Sequence, residues 1–132
     1  MTKALIVDDE PDIREVLTRL LERESLNVRV ADSGAEGLRK FREDPADIVI
    51  TDIIMPDVDG IQFIKSLRSE FPRARIIAIS GGGNMGPLGY RPEAITTTAY
   101  LVAAEQAGAD CIITKPFDRE ELMGKIRELC SA

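Results

Sequence analysis

Residues 4–23 read ALIVDDEPDIREVLTRLLER. The aliphatic run Ala4 to Val7 has the length expected of a strand buried on both faces. Three acids, Asp8, Asp9 and Glu10, end it, and after Pro11 the residues Ile13, Val16, Leu17, Leu20 and Leu21 fall at i, i+3, i+4, i+7 and i+8. That spacing predicts one apolar stripe on a helix, and proline suits a first helical turn because its missing N–H has no partner there. A strand, an acidic turn and an amphipathic helix are thus encoded in immediate succession.

The same alternation continues outward. Val28 to Ala31, Ile48 to Thr51, Ile76 to Ile79 and Cys111 to Thr114 are further strand-like runs. Ser33 with Glu36 reads as a capping box opening the second helix, and Asp118 with Glu121 as its aspartate version opening the last. Ile61, Ile64, Leu67 and Phe71 stripe a third helix; Leu122, Ile126 and Leu129 stripe the fifth. Because each strand–helix–strand crossover is right-handed and returns over the sheet, such alternation predicts an α/β fold. The expected architecture is a doubly wound, five-stranded parallel sheet with helices on both faces.

A length of 132 residues leaves room for one domain, so residues 1–132 are read as a single unit. Apolar residues at 44% and charged residues at 30% suffice for a packed core. Lys plus Arg number 17 against 23 Asp plus Glu, a formal charge of -6, the wrong sign for a phosphate backbone or an anionic bilayer. Neither direct nucleic-acid binding nor a membrane surface is expected. Histidine is absent, which removes the commonest general base and metal ligand. Cys111 and Cys130 lack zinc or disulfide spacing, and no run approaches the ~18 apolar residues of a membrane span, so a cytoplasmic protein is expected.

In an open parallel sheet, ligands bind beyond the carboxyl ends of the strands. Asp8, Asp9 and Glu10 follow the first strand, Asp52 the third, Ser80 the fourth and Lys115 the fifth. Carboxylates about 4 Å apart repel by ~1–4 kcal/mol per pair, so such a cluster calls for a cation. Oxygen ligands without His or Cys favour Mg²⁺, which keeps open positions for water and phosphate oxygens.

LIVDDEPDIRE (5–15), VITDIIMPDVDGI (49–61), IIAISG (76–81) and GADCIITKPF (108–117), in that order, resemble the receiver domain of two-component response regulators. The resemblance implies a CheY-like, flavodoxin-like fold and a phosphorylation-dependent switch or relay that is not itself an enzyme. Carried over by position, it makes Asp52 the phosphoacceptor, supplied by a sensor histidine kinase or phosphotransfer protein. Asp9, Asp52 and the backbone carbonyl of Ile54 would hold Mg²⁺, with Asp8 acting through a bound water. Lys115 would pair with one phosphoryl oxygen and Ser80 would donate to another. The output would be delivered by binding a downstream protein, since the chain closes soon after the fifth helix, whether complete or excised from a longer regulator.

Simpler roles stand beside these. Asp9 or Glu10 can complement a helix dipole, Ser80 can cap, and Lys115 can be a solvated lysine. Asp57 and Asp59 read as turn residues, with Gly60 relieving the backbone. A phosphatase-class enzyme would need a carboxylate two residues after the nucleophile, where Ile54 stands; a flavin or nucleotide binder would meet repulsion from Asp8, Asp9 and Glu10. A pseudo-receiver that docks partners without phosphorylation is the remaining alternative.

Two departures stand out. Ile112 occupies the position, three before Lys115, where many receivers carry Tyr or Phe. Residues 81–92, GGGNMGPLGYRP, far exceed the ~2–6 residues of an ordinary βα connection. Its Gly81, Gly83 and Gly86 match a dinucleotide-loop spacing, but Pro87, Gly89 and Pro92 oppose the helix start that such a site needs, and chance spacing is the better account. The segment is expected to order when Ser80 engages a phosphoryl group, with Tyr90 or Tyr100 as candidates for the missing ring.

Overall fold

The computed structural model describes residues 2–53, 60–80, 102–114 and 117–130. The strands are β1 (Lys3–Val7), β2 (Asn27–Ala31), β3 (Ile48–Asp52), β4 (Ile76–Ser80) and β5 (Cys111–Thr114). The helices are α1 (Pro11–Arg23), α2 (Gly34–Glu43), α3 (Gly60–Glu70), α4, of which residues 102–107 are described, and α5 (Arg119–Cys130). All pairings are parallel, in the order β2-β1-β3-β4-β5. This is the doubly wound, flavodoxin-like sheet expected from the alternating runs. The Gly-rich stretch 81–92 and both tyrosines lie outside the described residues.

Successive strand residues point to opposite faces, and the core divides accordingly. Leu5, Val7, Val49, Ile76 and Ala78 pack with Phe41, Phe63, Ile64, Leu67 and Ala104 beneath α2, α3 and α4. Ala4, Ile6, Ile48, Ile50, Ile77 and Ile79 pack with Leu17 and Leu21 of α1 and Leu122, Met123 and Ile126 of α5. Both faces of the sheet are covered, which is why the central strands β1, β3 and β4 read as aliphatic runs, whereas the edge strand β2 carries Arg29 and is only partly buried.

The caps form as the sequence suggests. Glu36 N donates to Ser33 Oγ (3.1 Å), and Glu121 N donates to Asp118 Oδ1 (2.8 Å). The return bond of the first cap shifts by one residue: Asp32 N, not Ser33 N, donates to Glu36 Oε1 (2.8 Å). Pro11 is the first residue of α1, as expected.

Three stripe residues differ from expectation. Val16 is 59% exposed, because α1 meets the sheet along a narrower strip in which only Leu17 and Leu21 are fully buried. Phe63, absent from the expected stripe of α3, is among the largest fully buried side chains. Its ring fits because Gly37 of α2 leaves space: a Cβ there would lie 3.2 Å from Phe63 Cε1 and 2.8 Å from Val7 Cγ2. Phe71 falls just after α3, half-buried, with its ring centroid 4.7 Å from that of Phe41.

Candidate functional site

The strand register lines up the expected site at the carboxyl edge of the sheet. Val7 pairs with Thr51, so Asp8 and Asp52 are the next residues on adjacent strands; Asp52 pairs with Ile79, and Ser80 with Thr114. Asp52 and Ser80 are the last residues of their strands and do not follow them, because the ladder runs one residue further than the aliphatic runs.

Asp8 is 3% exposed and Asp52 6% exposed. A buried carboxylate is costly unless its surroundings compensate it, so the fold has to hold this edge together. Asp8 is fixed at three points. Its N–H donates to Ala31 O (3.1 Å), its carbonyl accepts from Arg14 Nη1 (2.8 Å), and its Oδ1 accepts from Glu10 N (2.9 Å). The last bond is a local turn that aims the acidic residues out of the sheet and into the start of α1, whose N-terminal dipole favours negative charge. Glu10 is the N-cap residue, yet its side chain makes no capping bond.

Asp8, Asp9 and Glu10 each bring a carboxylate oxygen to one place, all within 4.8 Å of one another. Asp8 is buried, Asp9 half-buried and Glu10 exposed, so the group grades from the sheet edge into solvent. Oxygen-only donors in a chain without histidine fit a hard divalent cation such as Mg²⁺.

The third strand end is fixed through its backbone. Thr51 Oγ1 donates to Asp52 O (2.9 Å), Ile53 N to Ile79 O (3.1 Å) and Gly60 N to Ile53 O (2.7 Å). The sequence suggests that Gly60 relieves a turn. Its role is closer contact: a Cβ on it would stand 1.9 Å from Asp52 O, so only glycine lets α3 begin against this strand.

Ile54, Lys115, Asp57, Asp59 and the side chain of Ser80 lie outside the described residues. Ile112 is half-buried and packs against the core under α2 and α3. The bond from Arg14 to Asp8 O has no periodic signature in the sequence. Cys111 and Cys130 are free and half-buried, and burial pushes both thiols above their usual range.

Residues 4–89 match the response regulator receiver domain family. The chain belongs to that family. It is 35% identical over 127 residues to the response regulator protein PilR of Pseudomonas aeruginosa, covering 96% of this chain and 25% of PilR. It is likewise 35% identical over 127 residues to the transcriptional regulatory protein KdpE of Mycobacterium tuberculosis, covering 96% of this chain and 50% of KdpE. The receiver chain therefore spans a quarter to a half of these relatives' length. Among solved structures, it resembles TrrA of Thermotoga maritima in complex with Mg²⁺-BeF, with 32% identity, a TM-score of 0.78 and coverage of 98% and 99% of the two chains.

Receiver domains are phosphorelay signalling modules and not enzymes in the usual sense; they work through kinases or phosphotransfer proteins and through downstream targets. Among the described residues of this receiver, no helix is long and apolar enough to cross a membrane.

Proposed function

We propose that Asp52 accepts a phosphoryl group from the phosphohistidine of a sensor histidine kinase or phosphotransfer protein, and that the phosphorylated domain signals by binding another protein. What supports this reading is one relationship: Asp52, 6% exposed, ends β3 beside the strand end that carries the converging Asp8, Asp9 and Glu10 oxygens. The proposal takes residues 1–132 as one receiver unit working in the cytoplasm, where such kinases present their phosphohistidine.

In the transfer, a carboxylate oxygen of Asp52 bonds to phosphorus as the phosphorus–nitrogen bond of the donor imidazole breaks. The bonding pair leaves with that nitrogen, and Asp52 becomes an acyl phosphate. A carboxylate approaching a phosphoryl group brings two anions together, so catalysis is mostly positioning and charge compensation. Asp9, Asp52 and the Ile54 carbonyl would hold Mg²⁺, with Asp8 acting through water, and the bound ion supplies positive charge to the phosphoryl oxygens. The Lys115 ammonium pairs with one phosphoryl oxygen, and the Ser80 hydroxyl donates to another. Asp8, pinned at three points, keeps the acidic turn in register with Asp52.

The relative TrrA was solved with Mg²⁺-BeF, and the same pair serves as a probe here. In an amide NMR titration, Mg²⁺ alone is expected to shift Asp8, Asp9 and Glu10. Adding beryllofluoride is expected to extend the shifts to Ile53 and Ser80, and Asp52→Asn removes that second response. A beryllofluoride response that survives in Asp52→Asn would overturn the assignment.

A further inference from the structure

At the opposite end of the sheet from the acidic residues, a shallow, solvent-open cavity of about 420 Å³ lies between the loops that lead into β3 and β4. It lies within the ~300–1,000 Å³ typical of small-molecule sites. Phe41 and Ala74 are buried, Ala46 and Phe71 are half-buried, and all four line it. The Phe41 and Phe71 rings meet edge to face at 62°, so buried Phe41 backs the half-buried Phe71 ring, whose open part is the aromatic surface on which a further ring stacks.

Two charged residues also line the cavity, Glu70 and Arg73, and their situations differ. Glu70 is held by both ends of the Arg42 guanidinium, Nε to Oε1 at 2.8 Å and Nη2 to Oε2 at 2.5 Å, so its charge is balanced. Arg73 is exposed and makes no ion pair or hydrogen bond among the described residues, in a chain with a formal charge of -6. An apolar, aromatic cavity therefore carries one unbalanced guanidinium, a group that matches a carboxylate in a planar, bidentate geometry. The volume is too small for a docked helix, which is ~10–12 Å across with its side chains.

We propose that this cavity is a binding site for a small aromatic carboxylate of one or two rings, its ring against Phe71 and its carboxylate on Arg73. The test is an amide NMR titration of the whole chain with 1-naphthylacetate and, separately, its neutral amide. The expected result is saturable shifts confined to residues 41–46 and 70–75, with the acid bound on the order of tenfold more tightly than the amide. Arg73→Gln, a surface change, should reduce the acid to the affinity of the amide and leave the amide unchanged. Ala46→Phe should fill the cavity and abolish both. The proposal fails if shifts do not saturate in the millimolar range, if they centre elsewhere, or if Arg73→Gln leaves the acid unaffected. It fails too if the same residues shift with protein concentration alone, which would make a second copy of the chain the occupant.

Discussion

A Cβ on Gly60 would sit 1.9 Å from the carbonyl oxygen of Asp52, and 2.6 and 2.7 Å from Cα and O of Ile53. These are backbone atoms with no side-chain torsion through which to move away. Together with the Gly60 N to Ile53 O bond, they dock the start of α3 directly on the end of β3. The start of α3 and the strand end that carries Asp52 are therefore held in direct backbone contact.

Gly60→Ala is expected to cost stability at or above the upper end of the ~1–3 kcal/mol typical of overpacking, and to slow the proposed phosphorylation of Asp52 as the strand end shifts. Gly124 is the internal control: in the middle of α5, its added Cβ would meet nothing within 4 Å. Gly124→Ala should instead stabilise by ~0.5–1 kcal/mol, through helix propensity and reduced freedom of the unfolded chain. Urea unfolding midpoints of the two variants should move in opposite directions.

Arg68 ties three segments together. Its Nε and Nη2 donate to Gly108 O (3.1 and 2.7 Å), its Nη1 donates to Pro72 O (2.7 Å) and Ala74 O (2.6 Å), and Nη2 also reaches Asp110 Oδ2 (2.8 Å). Asp110 Oδ2 in turn accepts from Ile76 N (2.8 Å), at the start of β4. Arg68→Met keeps the apolar stem and removes every donor. A loss of about 2 kcal/mol is expected, in the ~1.5–3 kcal/mol range of a hydrogen bond to a charged group, with faster hydrogen exchange at Ile76.

Acid stability should depend on Glu70. The hydrogen bond from Arg42 comes first and its charge second in holding the Glu70 carboxyl below the ordinary range. A carboxylate depressed in the folded state contributes stability above its unfolded pKa, ~4.3 for Glu, and loses it as pH falls through the lower folded value. The advantage of the native chain over Glu70→Gln in thermal unfolding should be present at pH 7 and vanish as the medium is acidified below that range. The pair is exposed, so the effect should be small and weaken with salt.

The element pattern was legible because the central strands β1, β3 and β4 are buried on both faces and the caps of α2 and α5 are local: Ser33 and Asp118 bind N–H groups three residues on. Tertiary contact decided what was missed. Whether Val16 or Phe63 is buried depends on how each helix sits on the sheet, and apolar spacing does not set that rotation. The carbonyl partners of Arg68 include one 40 residues away and leave no side-chain signature in the sequence. Gly60 looked like a turn glycine because a flanking MPDVD suggests one, whereas its requirement comes from a strand end eight positions upstream. At the acidic edge, Asp8, Asp9 and Asp52 were legible because strand ends in a parallel sheet share one rim, but the role of Arg14 was not.

The proposed phosphoryl transfer to Asp52 can be read by intact mass spectrometry after incubation with acetyl phosphate and Mg²⁺. A single phosphoryl adduct is predicted on the native chain, absent without Mg²⁺ and absent in Asp52→Asn. An adduct that persists in Asp52→Asn, or none on the native chain once Mg²⁺ is shown to bind, would contradict it.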